Sequence, residues 1–464
     1  MAEKIVNIKE YEGKRICVIG CGKSGIGAAS FLKKLGGIPF LYDENEKLTL
    51  EDVKAKLPQD LQEIRILLGA LPDEVLEETD LIVPSPGVPT DTPLMERFRN
   101  RNIPIYGEIE IAYRMDRGNV MAITGTNGKT TTTTLVGEIM KAAGKKTFVV
   151  GNIGTPYTDK VLESDGDSVS VIEVSSFQLE TIRDFHPAVS AVLNVTPDHL
   201  NRHHTMERYA QAKFDITKNQ TKEDVCVLNA ENEYTAEFAK RCPAKVVLFS
   251  SHGELEEGIY LKGEEIFYAK EGQTRKLMNI HEMNLVGLCN VENVCAAIAM
   301  TDAAGVPMEV ILDTVKHFKA VEHRIEYTDT VNGVDYYNDS KGTNPDAAIQ
   351  GIRAMSKPTV LIGGGYDKGS TYDEWIEEFG DKVKLLVLVG QTKEKIADCA
   401  RAHGFDRIRM ADTFEEAFRI SVENAENGDA VLLSPACASW GMFKDYEERG
   451  RIFKHMVRNL KKEQ

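Results

Sequence analysis

Gly125-Thr126-Asn127-Gly128-Lys129-Thr130-Thr131 follows directly on the apolar run Val120-Met121-Ala122-Ile123 and precedes a helix-forming segment, Thr132 to Ala143. An apolar strand, a glycine loop, a Lys-Thr pair and a helix make up the arrangement that cradles a nucleoside triphosphate. Glycines let backbone N–H groups turn toward phosphate oxygens, and the helix start adds free N–H groups and the positive end of its dipole. In this reading Gly125, Thr126, Asn127, Gly128, Lys129, Thr130 and Thr131 line the ATP site, with Lys129 between the β- and γ-phosphates and Thr130 on Mg²⁺. The usual loop has four residues between its first glycine and the Gly-Lys pair, which would place a glycine at Ile123. Here only Thr126 and Asn127 intervene.

Around this loop lies a chain of 464 residues, enough for about three domains that each bury a core. A formal net charge of −16 argues against nucleic acid as the main ligand and leaves anionic substrates to local cations and helix ends. No apolar run approaches the ~20 residues of a membrane span. Met1 to Glu12 is polar and charged without an apolar core, and so reads as no secretion signal. The eight cysteines form no CxxC pair, which fits a reduced, cytoplasmic setting.

Strand and helix patterns alternate in three rounds. The first opens with the strand Arg15–Ile19, a helix to about Leu35 and the strand Ile38–Tyr42. Leu81–Val83 then runs into Pro84-Ser85-Pro86-Gly87, and Ile103–Tyr106 is the last strand. The second round begins near Gly107 with a linking helix, contains the phosphate loop, and continues with strands at Thr147–Val150, Val169–Val174 and Ala188–Val195. The third has strands at Thr359–Ile362, Leu385–Val389 and Ala430–Leu433, with helices near Tyr372–Phe379 and over Lys393–Ala402. Such alternation predicts an α/β protein. We expect a Rossmann-like N-terminal domain over 1–106, a central P-loop-type ATPase domain with a mostly parallel sheet over 107–319, and a Rossmann-like C-terminal domain over 320–464.

Gly20, Gly22 and Gly25 spell GxGxxG behind the first strand, and Asp43 closes the second. That is the dinucleotide fingerprint, which places a pyrophosphate at the helix start and a hydroxyl near the acid. NAD and a UDP-sugar both satisfy it. Glu173 ends an apolar strand beside the phosphate loop, where a Mg²⁺ ligand belongs, although a strand-end glutamate can equally face solvent. The stretch Asn194-Val195-Thr196-Pro197-Asp198-His199-Leu200-Asn201-Arg202-His203-His204 reads as a polar active-site loop with His199 as its functional histidine. Zinc is disfavoured because His203 and His204 are adjacent and point apart. Lys213, on the helix predicted over Met206–Lys218, reads by itself as a solvated lysine.

Together the Gly-Thr-Asn-Gly-Lys-Thr loop, Glu173 with Ser175-Ser176-Phe177-Gln178-Leu179, Pro197-Asp198-His199 and the helix from Tyr209 to Lys213 resemble the Mur ligase family of peptidoglycan synthesis. His323-Arg324, Asn338-Asp339-Ser340-Lys341-Gly342-Thr343-Asn344, the glycine run Gly363 to Gly369 and Leu433-Ser434-Pro435-Ala436-Cys437-Ala438-Ser439 look like motifs of its D-glutamate-adding members. The likeness covers essentially the whole chain. It implies an amide ligase that uses ATP and Mg²⁺ to join D-glutamate to UDP-N-acetylmuramoyl-L-alanine through an acyl phosphate, as a cytoplasmic monomer.

The same resemblance implies roles by residue. Lys129, Glu173, His199 and Lys213 would be catalytic. Thr130, Glu173, His199 and a carbamylated Lys213 would hold metal, and Asn290, Asn293, Arg324 and Asp339 would take the adenine nucleotide. Ser24, Asp43, Ser85, Gly87 and Asn152 would bind the UDP-substrate, and Thr343, Lys368, Ser439 and Tyr446 the D-glutamate. Cys289, Asn201 and Gly342 depart from the family pattern, where histidine, aspartate and alanine are common. Folylpolyglutamate synthase shares the ATP core but looks unlike the first glycine loop. An NAD(P)-dependent oxidoreductase and a non-catalytic nucleotide-binding module are the other readings.

Overall fold

The computed structural model describes residues 6–7, 9–152 and 154–462, so residues 1–5 and 8 of the polar start, together with Ile153, lie outside the described residues. The chain divides into two compact units, Met1–Met278 with Asn293–Val315, and Asn279–Glu292 with Lys316–Gln464. No helix among the described residues is long and apolar enough to cross a membrane.

The first unit holds two sheets. Strands β1 (Arg15–Ile19), β2 (Ile38–Asp43), β3 (Ile66–Leu68) and β4 (Leu81–Pro84) pair in the order β3-β2-β1-β4, all parallel. β3, an edge strand of three half-buried residues, carries no pattern long enough to read from sequence. The strand expected over Ile103–Tyr106 is reduced to a single parallel bridge between Ile105 and Ile82. Pro104 sits in its middle and has no N–H for a ladder.

The second sheet contains β5 (Asn119–Thr124), β6 (Thr147–Gly151), β7 (Val169–Glu173), β8 (Val189–Val192), β9 (Val225–Asn229), β10 (Lys245–Ser250), β11 (Gly258–Lys262), β12 (Glu265–Lys270) and β13 (Gln273–Asn279). Their order is β13-β12-β11-β10-β9-β8-β5-β7-β6. Pairing is parallel from β6 through β11 and antiparallel between β11 and β12. β7 is buried along its whole length, so it reads as an unbroken apolar run relieved only by Ser170 and its terminal Glu173. β13 is mostly exposed and polar, and its sequence carries no core signal.

The second unit contains β14 (Glu326–Val331), β15 (Val334–Asn338), β16 (Thr359–Gly363), β17 (Val383–Leu388), β18 (Ile408–Met410) and β19 (Ala430–Leu433), in the order β14-β15-β19-β16-β17-β18. All pairs are parallel except the β14–β15 hairpin. Trp375, fully buried, anchors one of the two cores packed on this sheet.

The linking helix forms over Glu108–Tyr113, directly after Gly107 as expected. Its Glu110 is fully buried and acts as a backbone clamp. It accepts the N–H groups of Arg183, Asp184 and Phe185 at 2.8, 2.9 and 3.0 Å, and the Arg114 guanidinium at 2.8 Å. These amides lead into β8, which flanks the phosphate-loop strand. Truncating Glu110 takes the acceptor from three backbone donors, the buried Phe185 N–H among them. It also removes one of three carboxylates around Arg114, the others being Glu10 and Asp184. Losing one partner of a buried charged pair costs at most about 3–5 kcal/mol. Glu110→Ala is therefore expected to lower the unfolding midpoint of the chain by several degrees, measured by thermal denaturation, with Glu110→Gln falling in between.

Candidate active site

The phosphate loop leaves β5 between β7 and β8, where the strand order reverses. This is the position at which open parallel sheets bind ligands. Gly128 caps the helix Lys129–Ala142 in the left-handed region at φ 84°, and a Cβ there would stand 2.1 Å from Asn293 Oδ1. Only glycine fits, and the loop presents backbone to whatever it holds. Asn194 secures the loop from β8: its backbone carbonyl accepts Thr126 N–H at 3.0 Å and its Oδ1 accepts Asn127 N–H at 2.8 Å. Asn194 opens the polar stretch that runs to His204, but residue spacing carries no sign of a loop-pinning amide.

Lys129 Nζ donates to the Gly125 and Thr126 carbonyls at 2.8 and 2.9 Å. Thr130 Oγ1 donates to Glu173 Oε2 at 2.9 Å, and Asn152 Nδ2 donates to Glu173 Oε1, also at 2.9 Å. Asn152, expected near the UDP-substrate, thus meets the carboxylate expected to bind metal. The helix Met206–Phe214 brings Lys213 to the same place. Its Nζ donates to Gly125 O at 2.8 Å and lies 4.4 Å from the centre of the Tyr209 ring. Lys213 is buried, unlike the solvated lysine its sequence suggests. Burial, and secondarily the nearby Lys129 cation, push its amine well below the ordinary lysine range, while Asp198 opposes the shift.

His199 stands at φ 53° before the short helix Leu200–His203, its ring 4.9 Å from that of Phe177 and its Nε2 3.5 Å from Asp198 Oδ2. The neighbouring histidines do point apart. His203 is buried on Ser176 Oγ at 3.0 Å, whereas His204 reaches Asp91 at 3.3 Å. Tyr209, which opens the Tyr209–Lys213 motif but has no role implied by it, meets Thr126 Oγ1 through its hydroxyl at 3.1 Å.

In the first sheet the glycine loop follows β1, again where strand order reverses. A Cβ on Gly25 would meet Gly20 O at 1.9 Å, so helix and loop approach as closely as glycine permits. Asp43 holds this loop from β2: Oδ2 accepts Cys21 N–H at 3.0 Å and Oδ1 accepts Asn45 N–H, also at 3.0 Å. Ser85 Oγ faces the loop, buried and with no hydrogen-bond partner among the described residues, while Ser24 and Gly87 are exposed.

The second unit gathers its expected residues on three loops at the carboxyl ends of the adjacent strands β15, β19 and β16. Thr343 follows β15, Ser439 follows β19 and the exposed Lys368 follows β16. Asp339 is buried under Ser434 Oγ at 2.7 Å and Ile325 N–H at 3.2 Å, and burial pushes its carboxyl up to about 6. The Nε of Arg324 is buried without a hydrogen-bond partner among the described residues, and Asn290 Nδ2 donates to Val286 O at 2.8 Å. Arg449 is buried and ties two of the loops together. It donates to Ser340 Oγ at 2.9 Å, to Ser340 O at 2.8 Å and to Cys437 O at 3.3 Å. Ser340 Oγ in turn donates to Tyr446 O at 2.8 Å. Nothing in the local sequence pattern distinguishes Arg449 from an ordinary helix arginine.

Three family models match in order along the chain: the MurD-like N-terminal domain of Mur ligases over residues 14–107, the Mur ligase middle domain over 123–301, and the Mur ligase glutamate ligase domain over 323–437. The UDP-N-acetylmuramoylalanine–D-glutamate ligase of Lachnospira eligens is 58% identical over 451 residues, covering 97% of this chain and 100% of its own. That of Lachnoclostridium phytofermentans is 54% identical, covering 98% and 100%. Among solved structures, the UDP-N-acetylmuramate-alanine ligase MurC of Thermotoga maritima shares the fold at a TM-score of 0.59 and 20% identity, covering 96% of this chain and 99% of that one. MurF of Acinetobacter baumannii does so at 0.59 and 16%, covering 98% and 93%. With three domains of α/β architecture, matches to all three domain models and full-length relatives above half identity, this chain belongs to the Mur ligase family.

Proposed function

We propose that the chain is an ATP-dependent ligase that adds D-glutamate to UDP-N-acetylmuramoyl-L-alanine in peptidoglycan precursor synthesis. It would act in the cytoplasm as a monomer, with domains near 1–106, 107–319 and 320–464. The observation that carries this reading is the meeting of Lys129, Thr130, Glu173 and buried Lys213 around one glycine loop, in a chain whose full-length relatives bear that name. The loop fits a triphosphate: it offers backbone at a helix start and has no room for a side chain at Gly128. Glu173 and Thr130 present oxygen donors to one point, as a Mg²⁺ site needs.

When bound, ATP with Mg²⁺ supplies the phosphoryl group that turns the substrate carboxylate into an acyl phosphate, together with charge to stabilise it. Lys129 exchanges its two carbonyl partners for phosphate oxygens and neutralises charge there. Asn152 and Thr130 hold Glu173 in place. Burial disfavours the charged form of the Lys213 amine, and its neutral form can add CO₂ and release a proton, which converts it into a carbamate anion in the field of Asp198. Thr343, Lys368, Ser439 and the backbone around Tyr446 would receive the two carboxylates of D-glutamate, and the orphaned Ser85 hydroxyl, with Ser24, Asp43 and Gly87, the UDP moiety. Asn290, Asn293, Arg324 and Asp339 would take the adenine nucleotide.

Phosphate release assayed with D-Glu, L-Glu, L-Ala, meso-diaminopimelate and L-Lys is expected to require UDP-N-acetylmuramoyl-L-alanine and D-Glu together. Equal rates with L-Glu, or with a folate acceptor, would overturn the assignment. Lys213→Ala is expected to be nearly inactive and partly restored by acetate in solution, because a free carboxylate can occupy the place of the carbamate. An unmodified amine in fully active enzyme, seen by intact-protein mass measurement, would rule the carbamate out. Lys368 is exposed, so its pairing with D-glutamate would be desolvated only once the substrate covers it, and losing one partner of such a pair costs about 2–5 kcal/mol. Lys368→Ala should accordingly raise KM for D-Glu well over tenfold and leave KM for ATP and for the UDP-substrate nearly unchanged; a common shift in all three would assign Lys368 to loop architecture instead.

A further inference from the structure

Away from the loops described above, two helices of the second unit bring together side chains of mixed metal-binding chemistry. Asp373 and Glu377 stand one turn apart on the helix Asp373–Glu377, and Cys399 and His403 one turn apart on the helix Lys393–Ala402 and its C-terminal cap. Spacing of this kind puts both members of a pair on one helix face. The ligand atoms of Asp373, Cys399 and His403 all lie within 4.8 Å of one another. His403 Nε2 is 3.7 Å from Asp373 Oδ1 and 3.6 Å from Glu377 Oε1. Around a tetrahedral zinc ion with bonds of roughly 2.0–2.3 Å, neighbouring donor atoms stand roughly 3.3–3.8 Å apart. The imidazole nitrogen is therefore already at tetrahedral spacing from both carboxylates, with the thiol within 4.8 Å of it and of Asp373.

The histidine is also preset for such a task. Its Nδ1 lies 3.0 Å from the Cys399 carbonyl, which can only accept, so Nδ1 carries a hydrogen and Nε2 is the nitrogen that faces the carboxylates. A backbone carbonyl on the far nitrogen is the usual support of a metal-bound histidine. The Cys399 thiol shares this place: it is hydrogen-bonded to Asp373, and burial with that carboxylate pushes it up, so a metal ion binding here displaces the thiol proton.

We propose that Asp373, Cys399 and His403, with Glu377 beside the imidazole, form a binding site for a divalent ion of the zinc class, separate from the site at Glu173. The nitrogen and sulfur donors select against Mg²⁺, which prefers oxygen and retained water. The ion joins the helix that follows the Gly363–Gly369 loop to the end of the next helix. His403 retains 27% of its side-chain exposure, which leaves an entry path.

Titration of the full chain with Zn²⁺ against a chromophoric chelator, in excess Mg²⁺, is expected to reveal a single equivalent. Co²⁺ in its place should give a thiolate-to-metal charge-transfer band. Cys399→Ser and His403→Gln should each weaken Zn²⁺ binding roughly tenfold or more, and Cys399→Ser should abolish the band, with D-glutamate-dependent phosphate release unchanged. Asp373→Asn, at an exposed position, repeats the test without disturbing helix packing. Zn²⁺ binding equal in wild type and in the Cys399/His403 double variant, or a Co²⁺ spectrum without the band, would overturn the proposal and leave His403 as an ion-paired imidazolium.

Discussion

Parallel strand pairing is the constraint on which the rest of the molecule depends. It sends the carboxyl ends of neighbouring strands to the same edge of a sheet, so the loops that follow them must gather there. All three sheets use this at one strand with a neighbour on each side: β1 between β2 and β4, β5 between β7 and β8, β19 between β15 and β16. The glycine loops after β1 and β5 and the Ser434–Ser439 loop after β19 are the consequences. Residues distant in sequence, such as Thr130 and Glu173 or Asp339 and Ser434, meet because their strands are adjacent and point the same way.

Buried polar groups mark where this arrangement costs stability. Lys213, Asp339 and Arg449 are each nearly inaccessible, and in each the dominant influence on the pKa is burial. Asp339 is pushed up to about 6 and Arg449 down to about 10. A carboxyl held above its unfolded value costs stability wherever the unfolded chain ionises first, so the cost of Asp339 is absent in acid, grows as pH rises from the ordinary carboxylate value of 3.8, and is fully present above about 6. Such groups are retained against their desolvation penalty, which is the pattern expected of functional positions.

The fold was legible where burial is two-sided. β1, β5, β7, β16 and β19 are continuous apolar runs because helices cover both sheet faces, and the two glycine loops follow directly on such runs. β13, with its mostly exposed side chains, and β3, at three residues, carry too little pattern to be read. Ile103–Tyr106 had the apolar pattern of a strand without the donors, since Pro104 breaks the ladder. At the site, residue types in motifs were legible, but partnerships were not. Asn194, Tyr209 and Arg449 act on backbone or hydroxyl groups far along the chain, and no local spacing encodes that. Lys213 was misread in isolation for the same reason: burial belongs to the neighbours.

Two amines converge on the carbonyl of Gly125, one from the loop's own helix and one from a helix far downstream. They share an acceptor, and the positive charge of Lys129 acts in the same direction as burial, disfavouring the protonated form of Lys213. Whatever draws Lys129 toward an anion also relieves Lys213 of its closest positive neighbour. The charge at one amine is thereby felt at the other through space, across an acceptor that both already hold.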